Sequence, residues 1–469
     1  MRSRYRGRRR GGIRPHPAAG RPEPAQYTEP MSTAFLTDRY ELTMLAASLR
    51  DGTGRRPSVF ELFSRRLSGG RRFGVVAGTG RLLSLLRDFH FGEDELRYLR
   101  DNRVVDADAL RYLEGYRFTG TIRGYREGEL YFPGSPILTV EGTFADAVVL
   151  ETLALSVLNH DSAVATAASR MSIAAGERPL AEMGSRRAAE ESAVAAARAA
   201  FIAGFGATSN LEAGRRWGIP TMGTAAHSWT LLHDTEEDAF RAQVEALGTG
   251  TTLLVDTYDI RAGVETAVRV AGTGLGGVRI DSGDLPIVAA EVRAHLDELG
   301  ATGTKITVTS DLDEYAIAAL AASPVDAYGV GTSVVTGSGY PTASMVYKLV
   351  ARQAPDGSWV AVAKASTDKG SKGGRKAAFR TLEDGVATAE TIAVSDGFEE
   401  VDVPSEHPGS RPLQITLVDH GDIDTAHEGP EGTAAARAHH LQVREELPIR
   451  ALALSKSDPA IPTVFEDAR

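Results

Sequence analysis

From about residue 180 onward, short apolar runs alternate with longer runs in which apolar residues recur at helical spacing. The short runs TTLLVDTYD and GVRIDSGD predict buried strands, whereas GVETAVRVA and IVAAEVRAHLDELG predict the helices that follow them. The alternation continues through KITVTSDLD, DEYAIAALAAS and DAYGVGTSVV. This pattern is typical of parallel βα units, and so many units in succession favour a barrel over an open sheet.

The chain before residue 180 has a different pattern. TDRYELTMLAASLRDG predicts a helix that begins after Thr37 or Asp38 and ends at Gly52, and SVFELFSRR alternates like a strand. Residues 118–142 contain short strands broken by Gly and Pro, which indicates hairpins. The alanine-rich residues 145–168 predict one long buried helix or two.

Several shorter segments complete the prediction. AAEESAVAAARAAFIAGFG predicts a helix that ends at Gly204 and Gly206, SNLEAGRRWG predicts a shorter helix, and IPTMGT predicts a strand. After residue 350, PDGSW indicates a hairpin, residues 364–376 form a basic loop, and GTAAARAHHLQVREEL predicts a short helix.

The composition is that of a soluble globular protein, with 42% hydrophobic and 24% charged residues. The chain has no cysteine, which excludes disulfides, a thiolate nucleophile and cysteine metal sites, and which fits a cytoplasmic protein. Its net charge is -10; residues 1–30 carry eight Arg and two Glu, a net of +6, so the remainder carries -16. So acidic a body predicts neither nucleic acid nor a membrane as a partner, and no run of 18 apolar residues occurs.

Residues 1–30 are rich in Arg, Gly and Pro and are predicted to be a disordered tail. They lack the apolar stretch of a secretory signal, and a patterned sequence begins at Met31. The tail is therefore either dispensable or the result of a start site placed too early. An alternative is an Arg-rich arm for nucleic acid, which predicts salt-dependent RNA binding that is lost when residues 1–30 are removed.

Polar and ionisable residues follow each predicted strand. The segments at these positions are EMGSRR (182–187), GTAAHS (223–228), VDTYD (255–259), RIDSGD (279–284), TSDLD (309–313) and GVGTS (329–333). One such segment could simply be a helix N-cap, but six in succession carry His, Arg and Asp. Because the carboxyl ends of barrel strands converge on one face, these segments predict a shared active site.

The residue types suggest which part of a substrate each segment would bind. GVGTS is a glycine turn with a hydroxyl, and its backbone N–H groups suit a phosphate. The carboxylates of Asp281 and Asp284 suit ribose hydroxyls or a magnesium-bound diphosphate, although Arg279 and an aspartate could equally form a structural pair. Arg186 and Arg187 could clamp a carboxylate or phosphate. The basic loop 364–376 is either a mobile anion lid or a solvated run of charge.

His227 lies between Gly-Thr-Ala-Ala and Ser-Trp, so small residues leave room around its imidazole. A lone histidine is more often a satisfied core residue, and that interpretation stays open on this segment alone. His227 and His233 lack the spacing and carboxylate of an HExxH zinc site. GTGLGG at 272–277 precedes its strand, so we interpret it as an αβ turn rather than a dinucleotide-binding loop, and no Walker motif occurs.

Between Thr37 and Arg380 the chain resembles the nicotinate phosphoribosyltransferase family. The resemblance is carried by TDRYELTM, EMGSRRA, GFGATSNLEAG, GIPTMGTAAHSW, GVRIDSGDL, TSDLDEY and GVGTSVVT…VYKLV, in the family's order. Met183 stands where the family has an aromatic residue. KASTDKGSKGGRK resembles the family's basic segment, with Gly373 where a proline is common, which puts the rigidity of that loop in doubt.

The resemblance implies an α/β fold: an irregular (β/α) barrel with a smaller α/β domain built from both chain ends, as in type II phosphoribosyltransferases. The expected domains are 31–148 (N-terminal α/β domain), 149–354 (barrel-like catalytic domain) and 355–469 (C-terminal segment that returns to the N-terminal domain). It further implies a homodimer and the formation of nicotinate mononucleotide and diphosphate from nicotinate and 5-phosphoribosyl 1-diphosphate. This reaction belongs to NAD salvage and would be coupled to ATP hydrolysis, with Mg²⁺ on the phosphates.

The resemblance also implies roles for individual residues. His227 would be phosphorylated by ATP. Nicotinate would contact Tyr40, of the same or the neighbouring subunit, together with Thr224, Arg279 and Arg186 or Arg187. Ribose and diphosphate would face Asp281, Asp284, Ser310 and Asp311. Phosphate would be bound by Gly331, Thr332, Lys369 and Lys376. No protein ligand of a metal is assigned.

Three alternatives remain at this point. Nicotinamide or quinolinate could replace nicotinate on the same barrel; EMGSRR and Arg279 favour the singly acidic base, since quinolinate asks for more cationic residues and nicotinamide for a carboxylate. The third is a phosphosugar-binding barrel without catalytic activity. His227 and RIDSGD argue against it, and a measurable ATPase activity would exclude it.

Overall fold

The computed structural model describes residues 32–364, 372–395 and 409–467. The predicted tail and Lys369 lie outside these residues. The described helices, in chain order, are α1 (Arg39–Asp51), α2 (Thr79–Arg87), α3 (Glu93–Asp101), α4 (Ala107–Glu114), α5 (Phe144–Val148), α6 (Glu151–Ala175), α7 (Glu190–Ile202), α8 (Leu211–Trp217), α9 (His227–Leu232), α10 (Glu236–Leu247), α11 (Ile260–Ala271), α12 (Leu285–Glu298), α13 (Glu314–Ala319), α14 (Thr332–Val335) and α15 (Gly429–Arg444).

The strands of the same residues form four sheets. In chain order they are β1 (Pro57–Ser64), β2 (Gly74–Val75), β3 (Thr121–Tyr125), β4 (Leu130–Tyr131), β5 (Pro136–Thr143), β6 (Leu180–Glu182), β7 (Ala207–Thr208), β8 (Thr252–Leu254), β9 (Gly277–Ile280), β10 (Lys305–Val308), β11 (Ala327–Val330), β12 (Met345–Gln353), β13 (Trp359–Ala361), β14 (Arg375–Glu383), β15 (Val386–Ser395), β16 (Arg411–Pro412), β17 (Gln414–Asp419), β18 (Asp422–Ile423) and β19 (Thr463–Asp467).

A six-stranded parallel sheet carries the βα units predicted from residue 180 onward. Its order is β7-β6-β11-β10-β9-β8, and every neighbouring pair is parallel. The sheet is curled but does not close, because β7 and β8 remain its edges. The predicted α/β fold with an irregular barrel is thereby confirmed. The predicted strand IPTMGT is wrong: it is reduced to one parallel bridge between Thr221 and Thr208.

A seven-stranded sheet joins the two ends of the described chain. Its order is β13-β12-β1-β5-β3-β17-β18, and its pairs are antiparallel, so strands from before residue 150 lie beside strands from after residue 344. β14, β15, β16 and β19 form a further sheet of four strands. The described residues from 32 onward pack into one compact unit, and the boundaries proposed at 148 and 354 stay predictions.

The helices agree with the sequence pattern in most respects. Gly52, with a φ of 81°, ends α1 in the left-handed conformation that favours glycine. The apolar stretch near residue 150 forms two helices, the short α5 and the long α6. α6 is buried over most of its length because it packs between α7, α2 and α13. Among the described residues no helix is both long and apolar enough to cross a membrane.

A buried ion pair ties the loop after β3 to α7 and α15. Both guanidinium ends of Arg198 donate to the carboxylate of Glu127, at 2.6 and 2.8 Å, and the Nε of Arg198 donates to Thr433 at 3.1 Å. Glu127 also accepts from the backbone N–H groups of Gly78 and Gly80. The two side chains are 0% and 2% exposed. The charges are therefore fully compensated inside the protein, which a buried pair requires.

We expect Arg198→Gln to lower the free energy of unfolding by about 3–5 kcal/mol, because it leaves a buried carboxylate without its charge partner. The matched control is Arg216→Gln, which removes solvent-accessible ion pairs with Glu191 and Glu212 and should cost about 1 kcal/mol or less. Urea titration of both variants measures the difference. Equal losses for the two variants would contradict this account of Arg198.

Candidate active site

A cavity of about 510 Å³ lies at the carboxyl ends of the parallel strands β6, β9, β10 and β11. Five of the six polar segments predicted from sequence contribute to its wall. The predicted site residues that it brings together are Arg186, Arg187, Thr224, Arg279, Asp281, Ser310, Asp311, Gly331 and Thr332. The sixth segment, 255–259, does not line the cavity. Its Asp256 accepts a hydrogen bond from the backbone N–H of Asp281, which does.

Arg279, near the end of β9, places a positive charge in the cavity wall. Its Nη1 donates to the hydroxyl of Thr224 at 2.8 Å and to the carbonyl of Ala225 at 3.1 Å. Its Nε is buried and has no hydrogen-bond partner within the described part of the chain. Burial lowers the pKa of the guanidinium, while the carboxylates of Asp281 and Asp256 oppose that shift. Arginine stays charged under these conditions, so Arg279 is a cation with donors to spare.

The turn after β6 presents Arg186 and Arg187, and both side chains are exposed. Its shape depends on Glu182, the last residue of β6. The buried carboxylate of Glu182 accepts from the backbone N–H of Gly184 and from the hydroxyl of Thr208, the latter at 2.5 Å. Burial raises the pKa of Glu182. The sequence analysis did not select Glu182; it holds the turn rather than facing a ligand.

The glycine turn after β11 forms another part of the wall. A Cβ at Gly329 would lie 2.6 Å from Cγ2 of Thr309 and 2.7 Å from the sulfur of Met183, so β11 needs glycine to pack there. Gly331 and Thr332 then open the four-residue helix α14. The first backbone N–H groups of a helix have no partner within it, so this turn offers free donors beside the cavity.

The loop after β10 contains a strained residue. Ser310 has a φ of 98°, a conformation that is unusual for any residue except glycine. The side chains of Ser310 and Asp311 are exposed at the cavity. The preceding Thr309 donates its hydroxyl to Asp281. Such strain costs about 1–3 kcal/mol and persists only where neighbouring contacts enforce it.

His227 is the first residue of α9 and lies behind Ala225 and Ala226, which line the cavity. Its side chain is 41% exposed, so the interpretation as a satisfied core histidine is wrong. The Nε2 atom lies 4.0 Å from Oδ1 of Asp256 and 4.0 Å from Oδ2 of Asp281. The Nδ1 atom lies 3.1 Å from the hydroxyl of Thr257.

Asp256 is a functional candidate that the sequence analysis missed. Its side chain is fully buried, and its Oδ2 accepts from the backbone N–H of Asp281 at 2.8 Å and from the hydroxyl of Ser282 at 2.7 Å. Its Oδ1 has no hydrogen-bond partner among the described residues. The available signal was a carboxylate directly after the apolar run TLLV.

Besides His227, three predicted residues that the structure describes do not line the cavity. Tyr40 is on α1 and is 44% exposed, and Asp284 is exposed at the start of α12. Lys376 is buried on β14, with its Nζ 2.7 Å from the carboxylate of Glu61, so its ammonium is already paired and unavailable to a phosphate in this cavity. Lys369 lies outside the described residues.

Two of the excluded motifs can be checked against the structure. GTGLGG lies between α11 and β9, as expected for an αβ turn. Among the described residues there is no group of three His, Cys, Asp or Glu side chains arranged to hold a metal.

Glu41, next to Tyr40 on α1, is a buried carboxyl with an altered pKa. It accepts from the backbone N–H of Thr152 at 2.9 Å and from the hydroxyls of Thr37 and Thr152. Burial raises its pKa from 4.5 to about 7, although these hydrogen bonds oppose the shift. Glu41 thereby ties the start of α1 to the start of α6.

A carboxyl whose pKa is higher in the folded chain binds more protons when folded, so its contribution to stability is present below pH 4.5 and is lost as the pH rises toward 7. We expect the stability of the wild type, relative to Glu41→Gln, to fall by about 2 kcal/mol between pH 4.5 and 8. Urea titrations across this range measure it. Glu114→Gln, at an exposed position of α4, should keep the pH dependence of the wild type; the same dependence in Glu41→Gln would contradict the prediction.

The fold and the cavity together define a class of protein. Arginines, carboxylates and a glycine turn meet at the carboxyl edge of a parallel sheet, which is where α/β enzymes bind their substrates. The chain is therefore an α/β enzyme whose cavity suits a small anionic substrate.

Comparison with known proteins identifies the family. The nicotinate phosphoribosyltransferase (NAPRTase) N-terminal domain matches residues 35–159, and the NAPRTase family domain matches residues 179–393. The nicotinate phosphoribosyltransferase pncB1 of Mycobacterium tuberculosis is 53% identical over 96% of this chain and 98% of its own. The Bacillus subtilis nicotinate phosphoribosyltransferase is 39% identical over 75% of this chain and 74% of its own. The chain belongs to the nicotinate phosphoribosyltransferase family and is an enzyme of that class.

Solved structures have the same fold. The crystal structure of human nicotinic acid phosphoribosyltransferase matches with a TM-score of 0.76 and 26% identity, over 92% of this chain and 97% of the human chain. A nicotinate-nucleotide pyrophosphorylase from Pyrococcus furiosus matches with a TM-score of 0.72 and 23% identity, over 90% and 98% of the two chains. The second likeness concerns the fold alone.

Proposed function

We propose that the 510 Å³ cavity binds nicotinate and 5-phosphoribosyl 1-diphosphate and joins them to nicotinate mononucleotide and diphosphate. The observation that carries the proposal is Arg279, a charged guanidinium with an unpartnered buried Nε in a wall that also contains Gly331 and Thr332. A carboxylate on the pyridine ring suits the guanidinium. The free backbone donors of the glycine turn suit the 5-phosphate.

The reaction is a displacement at C1 of the ribose. The pyridine nitrogen forms the new bond to C1, while the bond from C1 to the diphosphate oxygen breaks and its electron pair leaves with the diphosphate. Positive charge develops on the ribose in the transition state, and the carboxylates of Asp281 and Asp311 in the cavity wall would stabilise it. Arg186 and Arg187 are candidates to meet the negative charge of the diphosphate, as well as for contact with the nicotinate carboxylate.

Magnesium fits this cavity as an ion that enters bound to the substrate phosphates, rather than as an ion coordinated entirely by protein side chains. The described residues hold no three-ligand metal group, and Mg²⁺ is commonly bound by one or two carboxylates plus substrate phosphates. Asp281 and Asp311, whose carboxylates are in the cavity wall, would hold it together with the substrate phosphates. When bound, the ion neutralises charge on the leaving diphosphate.

We expect Arg279→Ala to raise the KM for nicotinate about 10- to 100-fold, the effect of removing a hydrogen-bonded partner from a carboxylate. The KM for nicotinamide, which has no carboxylate, should change less than threefold. Steady-state assays with each base measure both values. Arg269→Ala, at a surface pair with Glu237, is the matched control. An unchanged nicotinate KM in Arg279→Ala would remove Arg279 from the base-binding site.

The surroundings of His227 support coupling to ATP through a phosphohistidine. Two carboxylate oxygens lie 4.0 Å from Nε2, and their negative charge would favour a proton on that nitrogen and leave the lone pair at Nδ1. The partly exposed Nδ1 would attack the γ-phosphorus of ATP; the N–P bond forms, the bond from the γ-phosphorus to the bridging oxygen breaks, and ADP leaves. Thr257, now 3.1 Å from Nδ1, would have to release that nitrogen. Hydrolysis of the phosphohistidine would then regenerate the imidazole and release phosphate.

The coupling is tested with nicotinate, 5-phosphoribosyl 1-diphosphate and magnesium, with and without ATP. We expect ATP to stimulate mononucleotide formation in the wild type and not in His227→Ala, and γ-labelled ATP to label only the wild type. His233→Ala, at the C-cap of α9 and six residues after His227, is the control and should behave as the wild type does. If the wild type and His227→Ala formed equal amounts of mononucleotide and neither was labelled, the transferase activity would stand and the coupling to ATP would be rejected.

We further propose that two subunits share each active site. Two exposed apolar surfaces support this. The first, here called the α1 surface, consists of Phe35, Leu36, Tyr40, Met44 and Tyr98. The second, here called the mouth surface, lies on segments that begin at the carboxyl edge of the parallel sheet and consists of Leu211, Leu231, Leu232, Tyr258 and Ile287. Contact between the α1 surface of one subunit and the mouth surface of the other would cover both and carry Tyr40 toward the partner's cavity.

Mixing two impaired variants, assayed with nicotinate below the wild-type KM, tests the shared site. Tyr40→Ala and Arg279→Ala, each with low activity alone, should regain activity when they are unfolded and refolded together. In the mixed dimer one site combines an intact Tyr40 from one subunit with an intact Arg279 from the other. No recovery, in a mixture shown to contain mixed dimers, would contradict a site built from two subunits.

A further inference from the structure

A buried carboxylate, Glu314, links two loops of the cavity wall. It is the first residue of α13 and therefore directly follows the loop 309–313, which carries Ser310 and Asp311. Its Oε2 accepts a hydrogen bond from the hydroxyl of Ser338 at 2.7 Å. Ser338 ends the turn 331–338, which begins with Gly331 and Thr332. Glu314 is 2% exposed and does not line the cavity.

Each of the two segments that this link joins contains one non-glycine residue with a positive φ. Ser310 has a φ of 98° and Ser338 a φ of 51°. The N–H of Ser338 bonds to the carbonyl of Ser333 at 2.7 Å, so the turn folds back on α14. Strained conformations of this kind revert unless neighbouring contacts enforce them. The hydrogen bond to Glu314 is such a contact, and it joins one strained loop to the other.

The other oxygen of Glu314 is held by Arg170 of α6. The Nε of Arg170 lies 3.1 Å from Oε1, and the two side chains are 4% and 3% exposed. The Nη2 of Arg170 also donates to the carbonyl of Leu454 at 3.0 Å. Glu314 is thus fixed to the longest helix of the described chain and cannot follow Ser338 if the turn moves. Arg71 adds a second anchor to the turn, since its Nη2 donates to the carbonyl of Gly337 at 2.5 Å.

From this arrangement we propose that Glu314 is a positioning residue, which through Ser338 holds the loop 309–313 and the turn 331–338 at the spacing that the ribose 5-phosphate part of the substrate requires. The proposal rests on the function proposed above, because that function assigns ribose to the first loop and phosphate to the second. Glu314 touches neither the base nor Arg279. Loss of the link should therefore weaken the sugar phosphate and spare nicotinate.

The test removes the link and leaves the pair of Glu314 with Arg170 intact. Ser338→Ala deletes the hydroxyl at a partly buried position, and we expect the KM for 5-phosphoribosyl 1-diphosphate to rise about three- to tenfold, the size of the net contribution of one ordinary hydrogen bond. The KM for nicotinate and kcat should change less than twofold. Ser156→Ala, which loses a hydrogen bond to Leu153 within α6, is the matched control and should leave both KM values unchanged.

A second variant separates positioning from stability. Ser338→Gly also lacks the hydroxyl, but glycine accepts a positive φ without strain. We expect Ser338→Gly to melt at or above the Tm of Ser338→Ala and yet to share its raised KM for the sugar diphosphate. A KM that returns to the wild-type value in Ser338→Gly, or that rises equally for both substrates, would show a merely structural role and overturn the proposal.

Binding of ribose 5-phosphate, measured by calorimetry, tests the link without turnover. The wild type should bind this probe, and both Ser338 variants should bind it about three- to tenfold more weakly. Equal binding by the wild type and the variants would overturn the positioning role while leaving the proposed function intact. A wild type that binds ribose 5-phosphate but forms no mononucleotide would reject the proposed function alone. No binding to the wild type would overturn the positioning role.

Discussion

The parallel hydrogen-bond ladder of β6, β11, β10, β9 and β8 is the constraint on which the site depends. Parallel pairing forces every strand to end at the same edge, so segments separated by up to 150 residues in the chain meet around one cavity of about 510 Å³. Arg279 and Thr332 line the same cavity only because the parallel ladder places the ends of their strands at one edge of the sheet. Glycine at 329 allows β11 to pack against its neighbours at that edge, because a Cβ would meet Thr309 and Met183.

Electrostatics then divides the edge into regions. Buried Asp256 fixes the loop of Asp281 through a backbone N–H and faces the imidazole of His227 with its second oxygen. Arg279, two residues before Asp281, places a positive charge in the cavity wall. Negative charge from Asp256 and Asp281 and positive charge from Arg279 thus lie close together at one strand end. The function proposed above assigns the negative charge to the ribose and the positive charge to the carboxylate of the base.

Much of this arrangement is readable in the sequence, because βα alternation and polar strand ends are local signals. The segments RIDSGD and GVGTS lie at the carboxyl ends of β9 and β11 as predicted, and α6 and α8 lie largely within the segments whose patterns predict helices. Long-range partners are not local signals. Lys376 belongs to a basic run, yet its ammonium is buried against Glu61, 315 residues away. Glu182 and Asp256 escaped selection because their importance comes from burial and from neighbours outside their own segments. The apolar pattern of IPTMGT predicted a strand, but only Thr221 of this segment pairs with the sheet, through a single bridge to Thr208.

The central claim is that one cavity takes the base at Arg279 and the phosphate at Gly331 and Thr332. A crystal structure of the protein with nicotinate mononucleotide tests it most directly. The account predicts the pyridine carboxylate within hydrogen-bond distance of the Arg279 guanidinium, the phosphate on the backbone N–H groups of the glycine turn, and the ribose beside Asp281. A mononucleotide bound with its phosphate at Arg279, or bound outside this cavity, would contradict the account.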